Sequence, residues 1–238
     1  MPGVSTHSGG YTELMNETTE LDILEIEPHG NASSAVIWLH GLGADGHDFE
    51  PLAQQWGLAD QLGARFILPH APLRPVTLNG GMMMRAWYDI YDLAPGAGED
   101  RQGIEKARRQ LLALIRREQQ RGISSDRILL AGFSQGGAVA LHTALRFQLP
   151  LAGVLALSAY LPLAQTVADE MCADPARLVI RMDHGDQDPV VSVAVAEHSR
   201  DIIESLGYSI EFHRYPMQHC LCPPQTESLR AWISQQLG

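Results

Sequence analysis

The stretch of residues 127–145, RILLAGFSQGGAVALHTAL, decides the fold of this chain. Its beginning, RILLA, is an apolar run typical of a buried strand, and its end, GAVALHTAL, is typical of a helix. Between them lies GFSQG, a G-x-S-x-G pattern centred on Ser134. The pattern alone is weak, because about one chain in ten of this length would contain it by chance. Its position between a strand and a helix makes it strong, since a sharp turn there needs small flanking residues and lifts the serine hydroxyl above the sheet.

Other apolar runs predict strands of the same buried type. They are continuous rather than alternating, as expected for parallel strands covered on both faces. They cover residues 35–39, 65–68, 153–157 and 178–182. Residues 21–27 alternate in part and predict an antiparallel strand at the beginning of the sheet.

Helical periodicity separates these strands. It is clearest over residues 99–121, where apolar side chains recur at three- and four-residue steps opposite a charged face. Residues 190–206 and 226–237 also predict helices. Strands that alternate with helices form parallel β-α-β units, so we predict an α/β protein with a mostly parallel central sheet flanked by helices on both faces.

The length and composition of the chain favour one folded domain. No repeat or Pro/Gly/Ser linker divides its 238 residues, so a single domain is predicted over residues 19–238, after a polar, loosely held tail over residues 1–18. The N-terminus has neither the basic start nor the apolar core of a signal peptide, which predicts a cytoplasmic protein. Three cysteines, an odd number in no metal-binding spacing, favour reduced thiols.

Charge and hydropathy argue against two classes of partner. The formal charge of −11, from 28 acidic against 17 basic residues, opposes binding to nucleic acid or to an anionic lipid surface. The longest uncharged run, residues 147–168, is interrupted by prolines and polar side chains, so no integral membrane segment is predicted.

Ser134 is the candidate nucleophile, and a serine hydroxyl needs a base and a carboxylate that orients the base. In this strand-turn-helix context the order along the chain is serine, acid, histidine. The predicted strand over residues 178–182 leads into the polar segment DHGDQDPVV, where a carboxylate can project at the carboxyl edge of the sheet. Chain order favours Asp188 there and leaves Asp183 and Asp186 open as alternatives.

The candidate base is His219, which follows a strand-like run over residues 208–215. His213 lies within that run and is expected to be a surface or packing residue. Cys220 raises a cysteine nucleophile as an alternative, but neighbouring residues in an extended segment point to opposite sides and do not easily share a hydrogen bond.

Negative charge develops on the former carbonyl oxygen during acyl transfer, so two backbone N–H groups should be aimed at that position. The first predicted donor is Gln135, the residue after the nucleophile, and the second is Leu42, in the glycine-rich segment HGLGADGH after an early strand. His40 and His47 in this segment lack the spacing and the carboxylates of a metal site, so no metal is predicted. Neither a G-x-G-x-x-G motif nor a P-loop lysine is present to indicate phosphate binding.

Together these segments resemble the phospholipase/carboxylesterase family of α/β hydrolases, over about residues 35–237. The blocks that carry the resemblance are VIWLHGLGADGHDFEPLA from Val36, FILPHAPLRPVTLNGGMMMRAWYDI from Phe66, GFSQGGAVAL from Gly132, HGDQDPVV from His184 and YPMQH from Tyr215. The order of all five blocks matches the family.

The resemblance implies an α/β-hydrolase fold with Ser134, Asp188 and His219 as the triad, and this settles Asp188 over Asp186. It also implies Leu42 and Gln135 as oxyanion donors. A homodimer is suggested by the resemblance alone, since the sequence itself does not indicate one. The sequence departs from the family after the histidine, where Cys-Leu-Cys over residues 220–222 replaces a more familiar Ser-Val pair. That departure bears on the shape of the pocket and not on the triad.

In a protein that resembles this family, the Met-rich segment over residues 72–92 would line the acyl pocket. Leu73, Met84 and Trp87 are the predicted substrate contacts, although each could equally belong to the core. The leading hypothesis is a carboxylesterase for short to medium acyl esters that needs no cofactor. The alternatives are an acyl-protein thioesterase or lysophospholipase with the same triad, and a non-catalytic binding module with this fold.

Overall fold

The computed structural model of the protein describes residues 21–92 and 98–238. Strands and helices alternate along these residues. In chain order they are β1 (Ile23–Ile26), β2 (Ser34–Leu39), α1 (Glu50–Trp56), α2 (Leu58–Leu62), β3 (Ala64–Pro69), β4 (Leu73–Val76), β5 (Met82–Arg85), α3 (Arg101–Gln120), β6 (Ile128–Phe133), α4 (Gln135–Leu145), β7 (Gly153–Leu157), α5 (Val167–Glu170), β8 (Ile180–Gly185), α6 (Val193–Ser205), β9 (Ile210–Tyr215) and α7 (Pro223–Leu237). The tail expected over residues 1–18 lies outside the described residues.

Seven strands form the central sheet in the order β1-β3-β2-β6-β7-β8-β9. Every neighbouring pair is parallel except β1 with β3, which confirms a mostly parallel sheet with an antiparallel first strand. In the register of this sheet, Leu39 lies beside Gly132 and Phe133 lies beside Leu157. The carboxyl ends of β2, β6 and β7 therefore lie side by side at one edge of the sheet. Ser134 is the first residue after β6 at this edge.

Helices cover both faces of the sheet, as predicted. One face packs against α3, α4 and α6, and its core includes Ile104, Leu111, Val139, Leu141 and Ile203. The other face packs against α1, α2 and α7 through Ala53, Trp56, Leu58, Leu229 and Ile233. Burying a Val, Leu or Ile side chain contributes about 1.5–3 kcal/mol relative to leaving it exposed.

Two parts of the fold differ from the sequence-based expectation. A two-stranded antiparallel hairpin, β4 with β5, lies within residues 72–92, where no strand was predicted. The strand expected over residues 178–182 pairs only from Ile180 and continues to Gly185, so Asp183 lies inside a strand rather than in a loop. Across residues 21–92 and 98–238, no helix combines the length and the apolar character needed to cross a membrane.

Candidate active site

Ser134 lies on the sharp turn between β6 and α4. Its φ of 54° and ψ of −120° are unusual for a residue with a side chain, and such a conformation costs about 1–3 kcal/mol. Hydrogen bonds on both sides hold it, because the Ser134 N–H donates to Leu157 O at 2.7 Å and the Ser134 carbonyl accepts from Ala138 N at 3.0 Å.

The glycines of the G-x-S-x-G pattern allow the close approach that this turn needs. A Cβ on Gly136 would collide with the carbonyl oxygen of Leu39, and a Cβ on Gly132 would collide with the Gly136 backbone. The first turn of α4 therefore rests directly on the ends of β2 and β6, and Ser134 remains partly exposed at the edge of the sheet.

The loops after β8 and β9 bring Asp188 and His219 together. His219 Nδ1 lies 2.6 Å from Asp188 Oδ2, and the Asp188 side chain is fully buried while the His219 side chain is 16% exposed. The other carboxylate oxygen, Oδ1, accepts from Val190 N at 2.8 Å and Val191 N at 2.9 Å. A carboxylate held at both oxygens fixes the His219 ring with Nδ1 as the donor and Nε2 as the free acceptor.

The ring of His219 reaches the segment that carries Ser134. Its centroid lies 4.8 Å from that of Phe133, the residue before the serine. No hydrogen bond between the Ser134 hydroxyl and the His219 ring is formed among the described side chains. Hydrogen bonds of this kind are often long in enzymes without substrate and tighten when substrate binds.

The two competing carboxylates have other partners. Asp183 is buried and accepts from Arg181 Nε at 2.8 Å and Nη2 at 2.9 Å, so it forms a two-point ion pair within β8. Asp186 is exposed to solvent and pairs with Arg214. Of the three aspartates, Asp188 is the one that the structure places against His219.

A histidine that the sequence did not single out supports this acid. His184 is buried, its Nε2 lies 2.7 Å from Val191 O, and it is 3.5 Å from Asp188 Oδ2. Burial lowers the pKa of His184, which favours a neutral ring that donates to the Val191 carbonyl. Its partner Val191 lies seven residues further along, and the HGDQDPVV block that contains both residues does not by itself assign His184 a role.

The predicted oxyanion donors belong to two segments next to the serine. Gln135 begins α4, so its N–H has no acceptor within the helix. A Cβ on Gly41 would lie 3.5 Å from Ser134 Cβ, which places the loop that carries Leu42 beside the nucleophile. Donation from these two N–H groups to the oxygen of a substrate carbonyl stays a prediction.

Hydrogen bonds of the Gln135 side chain and of Trp87 connect the segments around Ser134. Gln135 Oε1 accepts from Trp87 N at 2.8 Å, and Gln135 Nε2 donates to Tyr88 O at 2.8 Å. The Trp87 indole N–H donates to His40 O at 2.8 Å. No sequence pattern indicates these side-chain contacts, because they join residues 47 and 48 positions apart.

The three predicted substrate contacts occupy different environments. Leu73 on β4 is 63% exposed, and Met84 on β5 is half-buried. Trp87 is only 3% exposed, and its indole N–H holds the His40 carbonyl beside the loop that carries Leu42. Their contact with substrate stays a prediction.

Within the described ranges, no group of three or more His, Cys, Asp or Glu side chains is arranged to hold a metal ion.

Comparison with known proteins yields consistent matches. A profile of the phospholipase/carboxylesterase family matches residues 22–237. Acyl-protein thioesterase 1 of Neurospora crassa is 38% identical over 215 residues, covering 86% of this chain and 87% of that protein. Acyl-protein thioesterase 1 of Cryptococcus neoformans is 36% identical over 237 residues, covering 92% and 99%. The crystal structure of Zea mays acyl-protein thioesterase 2 superposes with a TM-score of 0.80 at 28% identity, covering 91% of this chain and 99% of that one.

Proposed function

The chain belongs to the phospholipase/carboxylesterase family, and from this membership we propose how it works. It is a serine hydrolase that acts on ester or thioester bonds. In the proposed mechanism Ser134 is the nucleophile, His219 is the base and Asp188 orients the base.

The observation that carries this proposal is the contact of 2.6 Å between His219 Nδ1 and Asp188 Oδ2. The proton on Nδ1 faces the carboxylate, so the lone pair on Nε2 is free to accept the proton of a nucleophile. The packing of the His219 ring against Phe133 supports Ser134 as the source of that proton.

In the first half of the reaction, Ser134 Oγ attacks the acyl carbonyl carbon while His219 Nε2 takes the hydroxyl proton. Asp188 stabilises the imidazolium that forms. The N–H groups of Leu42 and Gln135 donate to the oxyanion, an interaction that strengthens as charge develops. When the tetrahedral intermediate collapses, His219 returns the proton to the departing alcohol or thiol, and the acyl group stays on Ser134.

In the second half, His219 removes a proton from water, which attacks the acyl-serine carbonyl. The resulting intermediate releases the carboxylic acid and restores the Ser134 hydroxyl. Each step moves only protons and the acyl group, so the proposed mechanism requires no cofactor.

We propose short to medium acyl esters as the substrates, with Leu73, Met84 and Trp87 near the acyl chain. Flexible methionine side chains in the β4–β5 region would tolerate varied chains. The curated relatives named acyl-protein thioesterase favour a second candidate, cleavage of an acyl thioester at the same serine. Rates on a p-nitrophenyl ester, an acyl thioester and a lysophospholipid, compared at equal chain length, would separate these activities.

We also propose a cytoplasmic location, and a homodimer that rests on the family resemblance. Cell fractionation tests the first proposal, and light scattering coupled to size-exclusion chromatography tests the second. A secreted protein would contradict the location, and a monomer at micromolar concentration would contradict the assembly.

The triad is tested by hydrolysis of p-nitrophenyl acetate, butyrate and octanoate. We expect Ser134→Ala to lower kcat by at least about 10³-fold, because the nucleophile is removed. Asp188→Asn should lower kcat by about 10²–10⁴-fold, since an amide favours the wrong tautomer of His219. Asp186→Asn is the matched control and should stay within about twofold of wild type, because Asp186 contacts Arg214 instead.

Full turnover by Ser134→Ala would overturn the triad, and equal losses in Asp186→Asn and Asp188→Asn would overturn the choice of acid. An active-serine fluorophosphonate probe should label wild type and not Ser134→Ala. Failure to label the folded wild-type protein would favour a non-catalytic binding module.

A further inference from the structure

His40, at the carboxyl end of β2, makes a hydrogen bond with each ring nitrogen. Nδ1 lies 2.7 Å from Gly41 O, and Nε2 lies 2.9 Å from Ala71 N. A backbone N–H can only donate, so Nε2 must carry the lone pair. The proton therefore sits on Nδ1 and is donated to the Gly41 carbonyl. The ring is fully buried, and burial lowers the pKa of His40 to about 4, in agreement with a neutral imidazole.

The bond to Gly41 O fixes the direction of a neighbouring N–H. The Gly41 carbonyl and the Leu42 N–H belong to the same planar trans peptide and point in opposite directions. A second donor, Ala44 N at 3.3 Å, holds the same carbonyl oxygen. Gly43 follows with a φ of 78°, the positive value that the third position of a type II turn requires. The Leu42 N–H is thereby turned away from the His40 ring.

This peptide lies against the nucleophile. A Cβ on Gly41 would come within 3.5 Å of Ser134 Cβ and 3.2 Å of Phe133 Cδ1. We propose that His40 is a positioning residue, whose Nδ1–H holds the Gly41–Leu42 peptide so that the Leu42 N–H is aimed at the oxyanion formed on Ser134. The inference rests on the proposed function, since it assigns a role in stabilising that oxyanion.

The two ring nitrogens of His40 have different roles in this arrangement. Nε2 anchors the ring to Ala71, after β3, and the Trp87 indole secures the His40 carbonyl. These contacts hold the loop in place whether or not substrate is bound. The Nδ1–H sets the orientation of one peptide, which matters most when negative charge develops opposite it. Loss of the Nδ1 donor should therefore lower kcat more than it raises KM.

Two substitutions separate the role of the Nδ1 donor from that of the Nε2 acceptor. In His40→Asn the amide nitrogen can take the place of Nδ1 and donate to Gly41 O, but nothing reaches Ala71. In His40→Gln the amide oxygen can take the place of Nε2 and accept from Ala71 N, but the donor to Gly41 is lost. His47→Asn is the control, because His47 lies on the same loop, is exposed and contacts Glu50.

We expect His40→Gln to lower kcat on p-nitrophenyl butyrate by about 10–100-fold with KM within about threefold, since loss of an oxyanion donor costs about 10²–10³-fold and Ala44 still holds the carbonyl. It should weaken inhibition by a trifluoromethyl ketone, which forms an oxyanion on the serine, by a similar factor. His40→Asn should keep kcat within about fivefold even though the melting temperatures of both variants fall. The His47→Asn control should match wild type in all measurements.

Equal kcat losses in the two His40 variants, following their melting temperatures, would reduce His40 to a packing residue. The ring of the unmodified protein gives a test that needs no variant: ¹⁵N chemical shifts should report a protonated Nδ1 and a bare Nε2 on His40, and the reverse would overturn the proposal. Full activity of Ser134→Ala would overturn the proposed function and this role together. Loss of activity in Ser134→Ala with wild-type kcat in His40→Gln would overturn this role alone.

Discussion

At the scale of single residues, the site depends on a few positions where the backbone leaves no room for a side chain. Gly136 is the clearest, because the space that a Cβ would occupy is filled by the carbonyl oxygens of Leu39 and His40. Backbone atoms of a buried strand cannot move aside as the end of a flexible side chain can. The glycine therefore serves the approach of α4 to β2 rather than a need for unusual dihedral angles.

We predict that Gly136→Ala lowers the free energy of unfolding by about 1–3 kcal/mol or more, the cost of overpacking a rigid site. The fall in kcat/KM should exceed the fall that the lost stability alone would cause, since the displaced helix carries the Gln135 N–H away from Ser134. Urea unfolding and kcat/KM on the purified variant measure the two effects. Gly30→Ala is the control, because a Cβ there meets no atom within 4 Å, and it should be neutral in both.

At the scale of elements, Asp100 ties α3 to the segment that follows the β4–β5 hairpin. Its Oδ1 accepts from Gly103 N at 2.9 Å and so caps the beginning of α3. Its Oδ2 accepts from Asp89 N at 2.8 Å and from Arg74 Nη2 at 2.9 Å. Arg74 also donates to Trp87 O at 3.2 Å, so the contacts of Asp100 extend through Arg74 to the residue whose indole holds the His40 carbonyl.

Asp100→Ala should lower the free energy of unfolding by about 1–3 kcal/mol, combining loss of the cap with loss of the bonds to Asp89 and Arg74. In a protein of this size each kcal/mol lowers Tm by about 2–4 °C, which calorimetry can resolve. Asp126→Ala removes an exposed carboxylate and should change stability by less than about 0.5 kcal/mol. A Tm of Asp100→Ala equal to that of Asp126→Ala would disprove the capping role.

The elements also show which parts of the fold the sequence can predict. Strands β2, β3, β6 and β7 were predicted because both of their faces are buried and their residues are continuously apolar. Helices α1 and α2 were missed, since 7 and 5 residues are too few to show a helical periodicity. The β4–β5 hairpin was missed because exposed methionines and a proline obscure its alternation.

Within the candidate site, prediction reached the residues that chain order and motifs constrain. Chain order pointed to His219 but left Asp183 open, because a charged residue after an apolar run resembles the beginning of a loop. In the structure Asp183 stays in β8 since Arg181, two residues earlier on the same side, neutralises it. The contacts of His40 with Ala71 and of His184 with Val191 could not be predicted, because they join side chains to backbone groups that only the folded chain brings together.

At the scale of the whole molecule, buried histidines link stability to pH. Burial lowers the pKa of His40 to about 4, and burial also lowers the pKa values of His70 and His184. Each of these rings gains a proton more readily in the unfolded chain than in the folded protein. Stability is therefore fully present above about pH 6.5, the ordinary histidine value, and is lost as the pH falls toward the folded-state pKa.

Carboxylates extend the same trend to lower pH. The hydrogen bond from His142 is the main cause that lowers the pKa of Glu105 from its ordinary 4.5 to about 2. Its contribution is present above pH 4.5 and is lost between about pH 4.5 and 2. The pairs of Glu27 with Arg65 and Arg121 act in the same direction, because they lower the pKa of Glu27. As the pH falls, the stabilising contribution of the buried histidines is thus lost first, and that of the ion pairs is lost afterwards.

We predict that the free energy of unfolding from urea titrations falls from pH 7.5 to pH 4.5. His40 alone contributes a loss of about 3 kcal/mol when complete, because a pKa lowered from 6.5 to about 4 is worth about 1.4 kcal/mol per unit. His40→Asn should flatten the fall, since the titrating ring is gone, whereas His198→Asn, an exposed histidine on α6, should keep the wild-type slope. If stability were constant across this range, or if both variants kept the same slope, the lowered pKa of His40 would be wrong.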